Sequence, residues 1–392
     1  MNRYMMISTD GHAGLPPEKY REYLESKYHK AFDEALPRQI RMTEIAEEKF
    51  LIKEYNDNWR SGIEEDLKGA WDGTQRNKVL DGDGVVAEVL FPDGITEMNA
   101  PPFGAGLSLK TWGIDKDLQW AGARAHNRWM KDFVADCPDR RIGLAIIPMC
   151  YDIEMAVKEI QWAKDNGLGG LLIPSLWGEY AAYNDPRYNP IWQICQDLDM
   201  PLHTHAGPCC DMNFDLPGAM GVFLMEFHWW AARPLWTMLM GGVFEHFPKL
   251  KFALTEVGEF WIPGMIHMMD VRASVKHTSG KLGDFRSHLT MKPSEYFRRN
   301  VRVGASAMMD KESVDAMHDI GIDNMMWGTD YPHPEGTWPQ TKDQMIECFK
   351  GLPEKELDKV FGYNAVDFYN LDLDKCLGIA KKIGPEKSIF AS

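Results

Sequence analysis

Two short segments near opposite ends of the chain each place a carboxylate beside an imidazole at the end of an apolar run. Asp10 and His12 follow the first apolar run, and Asp330 and His333 follow the last one. The two pairs can share a metal only if the fold brings these two strand ends together. A closed (β/α)8 TIM barrel does this, because its first and eighth strands are neighbours and all strand ends open on one face. The spacing therefore predicts a (β/α)8 barrel with these residues on its C-terminal face.

Short apolar runs alternate with amphipathic stretches along the chain, which is typical of βα units. We predict strands at residues 4–8, 85–91, 142–147, 169–173, 200–204, 251–255, 301–304 and 324–328. We predict helices at about 117–137, 155–166, 189–198, 235–247 and 354–369.

We expect residues 1–392 to form one barrel with two additions. The segment from about 16 to 78 is charged and helical in pattern, which indicates a helical insertion after the first strand, acting as a lid or an oligomer contact. The tail from about 372 to 392 is amphipathic, and we expect it to dock on the barrel or on a partner.

Charge and cysteine content narrow the expected partners and compartment. A net charge of −15 argues against nucleic acid or an anionic membrane surface as a partner. The chain has no signal-peptide pattern and no apolar run long enough to span a bilayer. Seven cysteines without a framework spacing indicate reduced thiols in the cytoplasm. We therefore expect a cytoplasmic protein that binds a small-molecule substrate.

Two further strand ends carry residues that bind metals. The predicted fifth strand ends at His205 and the predicted sixth at Glu256. A single polar residue at a strand end is usually satisfied by local hydrogen bonds, but such residues at four strand ends together favour a metal site. Nitrogen and carboxylate donors in this mixture suit zinc, iron, manganese or cobalt better than magnesium.

Several motifs give the chain a resemblance to a known family. The chain resembles the amidohydrolase-2 branch of the amidohydrolase superfamily, which includes aminocarboxymuconate-semialdehyde decarboxylase-like enzymes, over nearly its whole length apart from the helical insertion. The motifs that carry the resemblance are I-S-T-D-G-H at 7–12, A-H-N-R-W at 125–129, D-P-R-Y-N-P-I-W at 185–192, M-P-L-H-T-H-A-G at 200–207, G-V-F at 242–244, F-P-K-L-K at 247–251 and W-G-T-D-Y-P-H at 327–333.

The resemblance implies roles for individual residues. The family's first-strand pair is usually H-x-H, and here Asp10 takes the first place and His12 the second. The fifth-strand ligand maps to His205, while His203 on the same strand faces the site too or orients a ligand. The eighth-strand residue maps to Asp330, which in the family touches the metal and handles the proton of the nucleophilic water.

The sixth strand departs from the family pattern. Many members carry a histidine where this chain has Glu256, and an ionised glutamate can only accept hydrogen bonds. Glu256 is therefore a further metal ligand or a general base with a raised pKa. His333 is a ligand or an acid for the leaving group. These extra groups leave one or two divalent ions (Zn, Fe or Mn) per chain as open alternatives.

We predict a metal-dependent hydrolase in which a metal-bound water attacks the carbonyl of an amide, ester, lactone or thioester. The alternative is metal-dependent, non-oxidative decarboxylation of an aromatic or unsaturated carboxylic acid, with Asp330 protonating the ring carbon. The missing sixth-strand histidine counts against that alternative. A third interpretation is a binding barrel that has lost catalysis, against which the intact ligand set argues. We also expect a homo-oligomer, in the simplest case a dimer.

Overall fold

The computed structural model describes residues 2–93, 99–274, 282–305 and 311–390, and these contain eight parallel strands. The strands are β1 (Met6–His12), β2 (Val85–Phe91), β3 (Arg141–Ile146), β4 (Gly170–Leu172), β5 (Leu202–His205), β6 (Phe252–Thr255), β7 (Val301–Ala305) and β8 (Met325–Trp327). Each strand pairs with the next in the chain, so the sheet order equals the sequence order. This is the strand order that a (β/α)8 barrel requires.

Hydrogen bonds between the two ends of the sheet close the ring. Gly11 forms a parallel bridge with Tyr331, just beyond β8. The His12 amide donates to the Tyr331 carbonyl at 2.7 Å, and the Asp330 amide donates to the Asp10 carbonyl at 2.9 Å. The prediction of a (β/α)8 barrel is confirmed.

The first strand extends further than the sequence predicts. The prediction ends it at residue 8, whereas β1 continues to His12. The reason is that the chain still pairs with β2 on one side, where His12 lies opposite Phe91, and with the segment after β8 on the other. Asp10 and His12 therefore lie on a rigid strand and not on a loop.

Helices cover the outside of the barrel. They are α1 (His29–Phe50), α2 (Lys53–Arg60), α3 (Glu64–Leu67), α4 (Gly73–Asp83), α5 (Lys116–Ala135), α6 (Ile153–Asp165), α7 (Asn189–Leu198), α8 (Ala219–Met240), α9 (Val243–His246), α10 (Ile262–Ala273), α11 (Pro293–Asn300), α12 (Lys311–Ile320), α13 (Thr341–Phe349), α14 (Glu354–Asp358), α15 (Asn364–Tyr369) and α16 (Leu373–Ile383). Because helices and barrel interior cover both faces of the sheet, all seven residues of β2 are buried. In the described residues, no helix is both long and apolar enough to cross a membrane.

Helix α8 begins much earlier than the helix predicted at 235–247. It starts after Gly218, whose φ of 77° is left-handed, and runs for 22 residues. Its first half is apolar on exposed faces as well as buried ones, so it lacks the periodicity that marks an amphipathic helix. The predicted helix also runs together α8 and α9, which are separate.

The segment that follows β1 is helical. It contains α1, α2, α3 and most of α4, but α4 continues to Asp83 and its Arg76, Val79 and Leu80 are buried. The role of residues 16–78 as a lid or an oligomer contact stays a prediction. At the other end of the chain, α16 leads to Pro385, whose carbonyl accepts a hydrogen bond from the Tyr4 amide at 2.9 Å. Buried Phe390 packs edge-on against the Tyr4 ring.

Candidate metal centre

The structure brings all six residues of the predicted site to the C-terminal face of the barrel. They arrive from four places in the fold: the end of β1, the end of β5, the residue after β6 and the segment after β8. In that order they are Asp10 and His12, His205, Glu256, and Asp330 and His333. Strand ends on this face are where barrel enzymes carry their catalytic groups.

Asp10 lies between the two strand-end histidines. Its Oδ1 is 3.4 Å from His12 Nε2 and 3.2 Å from His205 Nε2. Glu256 approaches from the far side, with its Oε2 3.3 Å from His205 Nε2. Each of these four residues offers one ligand atom, and the four atoms all lie within 4.8 Å of one another. Such a cluster has the dimensions of a metal site.

Asp330 and His333 complete the cluster on the β8 side. Asp330 Oδ1 is 3.1 Å from His12 Nε2 and 3.0 Å from His333 Nδ1. The His12 and His333 rings lie against each other, with centroids 4.0 Å apart and their planes tilted by 31°. His12 is therefore shared between the two halves of the cluster.

Both carboxylates that follow strand ends adopt a left-handed backbone. The φ angle is 55° at Glu256 and 58° at Asp330, a region that residues other than glycine rarely occupy. Hydrogen bonds fix each of them, from the Glu256 amide to the Gly304 carbonyl and from the Asp330 amide to the Asp10 carbonyl. This conformation costs about 1–3 kcal/mol per residue and concentrates at functional sites.

The histidines are oriented as metal ligands usually are. His12 Nδ1 faces the Pro92 carbonyl at 3.3 Å and His205 Nδ1 faces the Ala206 carbonyl at 2.9 Å. Each Nε2 is therefore directed into the cluster, and a backbone carbonyl behind a ligating histidine is the common outer contact at metal sites.

Several buried polar atoms of the cluster have no normal hydrogen bond. Among the described residues, His12 Nε2, His333 Nε2 and both carboxylate oxygens of Asp330 make no hydrogen bond of normal geometry, although His12 and His333 each approach Asp330 Oδ1 closely as ion pairs. Buried polar groups seldom stay unsatisfied unless an ion or water completes them. Nitrogen and carboxylate donors together fit a divalent transition metal, so the residues present suit the metal that the sequence predicts.

The cluster shifts the pKa values of its members strongly. Burial alone would raise the pKa of Asp10, but His205 and His12 outweigh burial and hold that pKa well below its ordinary value. Burial lowers the pKa of His205, but the Asp10 carboxylate raises it more strongly, and the net result is a pKa of about 9. The favourable charge pairing between Asp10 and His205 therefore dominates this half of the cluster.

Asp330 and His333, on the β8 side of the cluster, also shift each other's pKa in opposite directions. Burial opposes the ionised form of Asp330, but His333 and His12 hold the pKa of Asp330 below its ordinary value. Burial also opposes the charged form of His333, yet the Asp330 carboxylate keeps the pKa of His333 well above its ordinary value. The pKa of Glu256 is raised well above its ordinary value by burial and by the carboxylates of Asp330 and Asp10.

His203 does not join the cluster. Its Nδ1 faces the Leu171 carbonyl at 3.2 Å, and its Nε2 is 2.9 Å from the Tyr369 hydroxyl. Its ring stacks on the Tyr369 ring, with the two planes 8° apart. Both ring nitrogens therefore contact groups outside the cluster, and His203 packs in the barrel interior.

Sequence reasoning missed a buried ion pair beside the site. Arg76 on α4 and Glu88 on β2 have fully buried side chains and form two hydrogen bonds, of 2.8 and 2.6 Å. The available signal was Glu88 itself, a charged residue inside an otherwise apolar strand. Its partner could not be identified, because Arg76 lies in the charged segment that we assigned to the insertion.

Comparisons with known proteins place this site in a family context. A family model described as amidohydrolase matches residues 113–371. The gamma-resorcylate decarboxylase of Polaromonas sp. strain JS666 is 27% identical over 270 residues, which cover 64% of this chain and 76% of that protein. The 2-amino-3-carboxymuconate-6-semialdehyde decarboxylase of Dictyostelium discoideum is 26% identical over 267 residues, which cover 64% of this chain and 67% of that protein.

Solved structures share the fold. The 5-carboxyvanillate decarboxylase of Sphingomonas paucimobilis superposes with a TM-score of 0.66 at 21% identity, covering 95% of this chain and all of that one (100%). A dihydroxybenzoic acid decarboxylase of Polaromonas sp. JS666, solved with manganese and 2-nitroresorcinol, gives a TM-score of 0.64 at 19% identity and covers 96% of this chain and 99% of that chain.

These relatives correct the predicted reaction. The curated relatives described above are decarboxylases, so the prediction of a hydrolase is wrong. That prediction rested on the argument that an ionised Glu256 cannot donate a hydrogen bond as the family histidine does. The structure weakens this argument, because burial and the carboxylates of Asp330 and Asp10 raise the pKa of Glu256, and a carboxyl group that keeps its proton is a donor.

Proposed function

Because the chain belongs to the amidohydrolase family, we propose that it is a metal-dependent decarboxylase that releases carbon dioxide from an aromatic or unsaturated carboxylic acid without an oxidant. The observation that carries this proposal is the buried cluster of three histidines and three carboxylates around His12 and Asp10. The decarboxylase names of the curated relatives support the reaction type.

We propose that one divalent ion binds between Asp10, His12, His205 and Asp330. These four residues offer two nitrogens and two carboxylates, and among the described residues neither His12 Nε2 nor the Asp330 carboxylate makes a hydrogen bond of normal geometry. We place manganese first, ahead of zinc and iron, since a solved relative of the same fold contains manganese. When bound, such an ion would supply Lewis-acid chemistry at the oxygens of the substrate, and these four residues would hold it.

Hydroxybenzoates with a hydroxyl group beside the carboxylate are the substrates that suit this arrangement best. The neighbouring hydroxyl would offer a second oxygen to the ion, and it donates electron density to the ring carbon that must accept a proton. A solved relative was crystallised with 2,6-dihydroxybenzoate, which has this pattern. An unsaturated acid with an oxygen or nitrogen donor in the equivalent position is the second class.

Asp330 and His333 form the proton-transfer pair in this proposal. Their 3.0 Å contact and their opposite pKa shifts keep one proton between them, on His333 at rest. Asp330 passes this proton to the ring carbon that bears the carboxylate. The bond from that carbon to the carboxylate then breaks, its electron pair restores the ring, and carbon dioxide leaves. Atoms and charges balance with no oxidant.

Glu256 donates a hydrogen bond to the substrate in this scheme. Its carboxyl group is only 13% exposed, and burial together with Asp330 and Asp10 raises its pKa well above the ordinary value, which favours the form that can donate. This gives Glu256 the donor role of the family histidine that it replaces.

We also propose that the protein works as a homodimer in the cytoplasm. Cys137, Cys150, Cys195, Cys210 and Cys376 are free thiols, which suits a reducing compartment. An apolar patch near the start of α8 and on α10 provides a dimer surface. It consists of Leu216, Val222, Leu224, Met225, Trp229, Phe260, Met268 and Val271, each 37–66% exposed.

Size and charge support a second copy of the chain as the occupant of this patch. Eight large apolar side chains, half exposed, approach the roughly 800 Å² that each partner buries in a stable interface. The only charged residues of α8 are Glu226 and Arg233, and those of α10 are Asp270 and Arg272, so the two helices are neutral in sum. Two copies that each carry a net charge of −15 meet with least repulsion at a neutral surface.

Release of carbon dioxide from a panel of hydroxybenzoates tests the proposed function. The manganese-loaded protein should release carbon dioxide from at least one member, and treatment with a chelator should abolish the release. Metal analysis on the same sample should find one ion per chain. Metal binding without carbon dioxide release from any aromatic or unsaturated acid would contradict the proposal.

A further inference from the structure

We infer that Arg76 is a positioning residue that fixes the ends of β1 and β8, so that ligands from both strands face the same ion. The inference rests on the proposed metal site and assigns a role to α4, which contributes no residue to that site. Four groups meet the Arg76 guanidinium: the Glu88 carboxylate, the His12 and Gly69 carbonyls and the Tyr331 ring. Three of them, on Glu88, His12 and Tyr331, belong to β2, to β1 and to the segment after β8.

The carboxylate of Glu88 anchors the guanidinium. Arg76 Nε donates to one carboxylate oxygen at 2.8 Å and Nη2 to the other at 2.6 Å, and both side chains are fully buried. Glu88 lies on β2, where it pairs with Ser8 of β1. The two parallel bonds fix the plane of the guanidinium, which a single point charge would not do.

The third arm of the guanidinium reaches the backbone of a proposed ligand. Arg76 Nη1 donates to the His12 carbonyl at 2.6 Å. The His12 amide donates in turn to the Tyr331 carbonyl at 2.7 Å. The His12 backbone is therefore held on one side by α4 and on the other by the segment that carries Asp330.

The Tyr331 ring lies against the same guanidinium. The Arg76 Cζ atom is 4.6 Å from the ring centroid, and the Tyr331 hydroxyl donates to the Asp66 carbonyl. Tyr331 directly follows Asp330, whose left-handed backbone must be held in place. Arg76 thus touches the residue next to Asp330 as well as His12.

Gly11 shows how closely this support fits under the ligands. A Cβ atom at Gly11 would lie 3.1 Å from Arg76 Nη2 and 3.2 Å from a Glu88 carboxylate oxygen. The ion pair therefore occupies the space beneath the Asp10–Gly11–His12 segment. This contact gives a physical reason for glycine between the two proposed ligands.

Stability alone does not account for the arrangement. Burying two charges carries a desolvation cost that often cancels their attraction, so a buried ion pair is weak evidence for a stabilising role. A planar group that joins β1, β2 and the segment after β8 instead fixes their relative positions. Groups behind metal ligands typically change metal affinity or activity by about 10- to 100-fold when replaced.

The substitution Arg76→Lys tests the inference, with Arg128→Lys as its matched control. Lysine keeps the charge but cannot contact Glu88 twice, the His12 carbonyl and the ring together. Arg128 also pairs with a glutamate, Glu159, and stacks on Trp162, but it lies on α5 away from the cluster. The readouts are the Mn²⁺ dissociation constant by chelator competition and the visible spectrum of the Co²⁺-loaded protein, with circular dichroism to confirm folding.

We expect Arg76→Lys to weaken Mn²⁺ binding by about 10- to 100-fold and to change the Co²⁺ spectrum. Arg128→Lys should leave both unchanged. A folded Arg76→Lys protein with the parent's Mn²⁺ affinity and Co²⁺ spectrum would overturn the inference. If Arg76→Lys does not fold, Glu88→Gln replaces it, because it leaves Arg76 in place and removes only the charge of its anchor. Unchanged Mn²⁺ affinity in Glu88→Gln would also overturn the inference.

The same experiment separates this inference from the proposed function. A parent protein that binds Mn²⁺ but releases no carbon dioxide refutes the decarboxylase, while the affinity comparison still decides the role of Arg76. A parent protein that does both, with Arg76→Lys unchanged, refutes the positioning role alone.

Discussion

Asp330 and Glu256 have similar surroundings but opposite pKa shifts. Both follow strand ends, both have a left-handed backbone and both lie beside a histidine. The pKa of Asp330 is lowered because His333 and His12 face it, whereas the pKa of Glu256 is raised by burial and by Asp330 itself. Environments that push two carboxyl pKa values apart assign one group as a proton carrier and the other as a hydrogen-bond donor.

Replacing Asp330 by asparagine should abolish the proton transfer. We expect the rate of carbon dioxide release by Asp330→Asn to fall by about 10²- to 10⁴-fold, the usual contribution of a positioned acid. The measurement is the single-turnover rate at saturating Mn²⁺, so that weaker metal binding does not contribute. A variant with the parent's rate would show that another group delivers the proton.

Replacing Glu256 distinguishes a donor from a metal ligand. Glutamine still donates a hydrogen bond and leucine does not, so Glu256→Gln should keep most activity while Glu256→Leu loses about 10²- to 10³-fold. Both variants should retain one Mn²⁺ per chain by elemental analysis. Loss of the metal from Glu256→Gln would identify Glu256 as a ligand and contradict the donor role.

The raised pKa of His205 predicts how metal binding depends on pH. In the metal-free protein this pKa is about 9, above its ordinary value, so the imidazole is protonated at neutral pH and must lose that proton to bind a metal. Apparent Mn²⁺ affinity should therefore rise with pH, approaching tenfold per unit, and level off near pH 9.

The stability of the metal-free protein should change in the opposite direction. A raised pKa contributes stability that is fully present below pH 6.5 and is lost as the pH rises through about 9. Thermal melting of chelator-treated and Mn²⁺-loaded protein between pH 6.5 and 9 measures both trends. Equal Mn²⁺ affinity across this range would contradict the assigned charge pairing between Asp10 and His205.

Among the elements, α5 and β3 are joined by the A-H-N-R-W motif, in which Asn127 serves the fold and not the metal site. Asn127 of the A-H-N-R-W motif brackets the backbone of Ile146 at the end of β3, accepting from its amide at 2.8 Å and donating to its carbonyl at 3.1 Å. The same side-chain amide donates to Glu159 on α6 at 2.9 Å. Asn127 therefore joins a strand to two helices.

The substitution Asn127→Ala should destabilise the fold without emptying the metal site. Leaving the buried Ile146 groups unsatisfied should cost about 1–3 kcal/mol in urea unfolding. The exposed amide of Gln161, which bonds only to Asp165 on its own helix, offers the control, and Gln161→Ala should change stability by under about 0.5 kcal/mol. Metal content should be unchanged in both, and loss of metal from Asn127→Ala alone would show that this motif serves the site.

The elements also show which features the sequence could predict. Strands such as β2 and β6 are mostly apolar and have clear ends, so the barrel and the position of Glu256 follow from the pattern, whereas the M-P-L-H-T-H-A-G motif locates His205. The left-handed backbone at Glu256 and Asp330 and the contact of Arg76 with His12 do not, because they depend on contacts between distant segments. The raised pKa of Glu256 likewise depends on burial, which no local pattern reports. The wrong prediction of a hydrolase followed from treating Glu256 as ionised.

For the whole molecule, the interface between copies is the least constrained feature. The apolar patch on α8 and α10 and the helical segment at 16–78 are two surfaces on which a second copy can bind. Met225 on the patch is 64% exposed, and Ile52 on the helical segment is 74% exposed. Substitutions of Met225 and Ile52 therefore test the two surfaces separately.

A charge introduced into the patch should dissociate the dimer. We expect Met225→Glu to sediment as a monomer of about half the parent's mass, since a buried unpaired carboxylate is costly at an interface. Ile52→Glu should remain dimeric. The opposite result, with only Ile52→Glu dissociating, would place the interface on the helical segment, and a monomeric parent protein would rule out the dimer.

The reaction itself is tested most directly in deuterated water. The manganese-loaded protein is incubated with 2,6-dihydroxybenzoate and related hydroxybenzoates in D₂O, and the products are examined by NMR and for carbon dioxide. We predict one carbon dioxide per substrate consumed and one deuterium at the ring carbon that carried the carboxylate. Absence of carbon dioxide from every hydroxybenzoate and unsaturated acid, from a protein shown to hold its metal, would contradict the account.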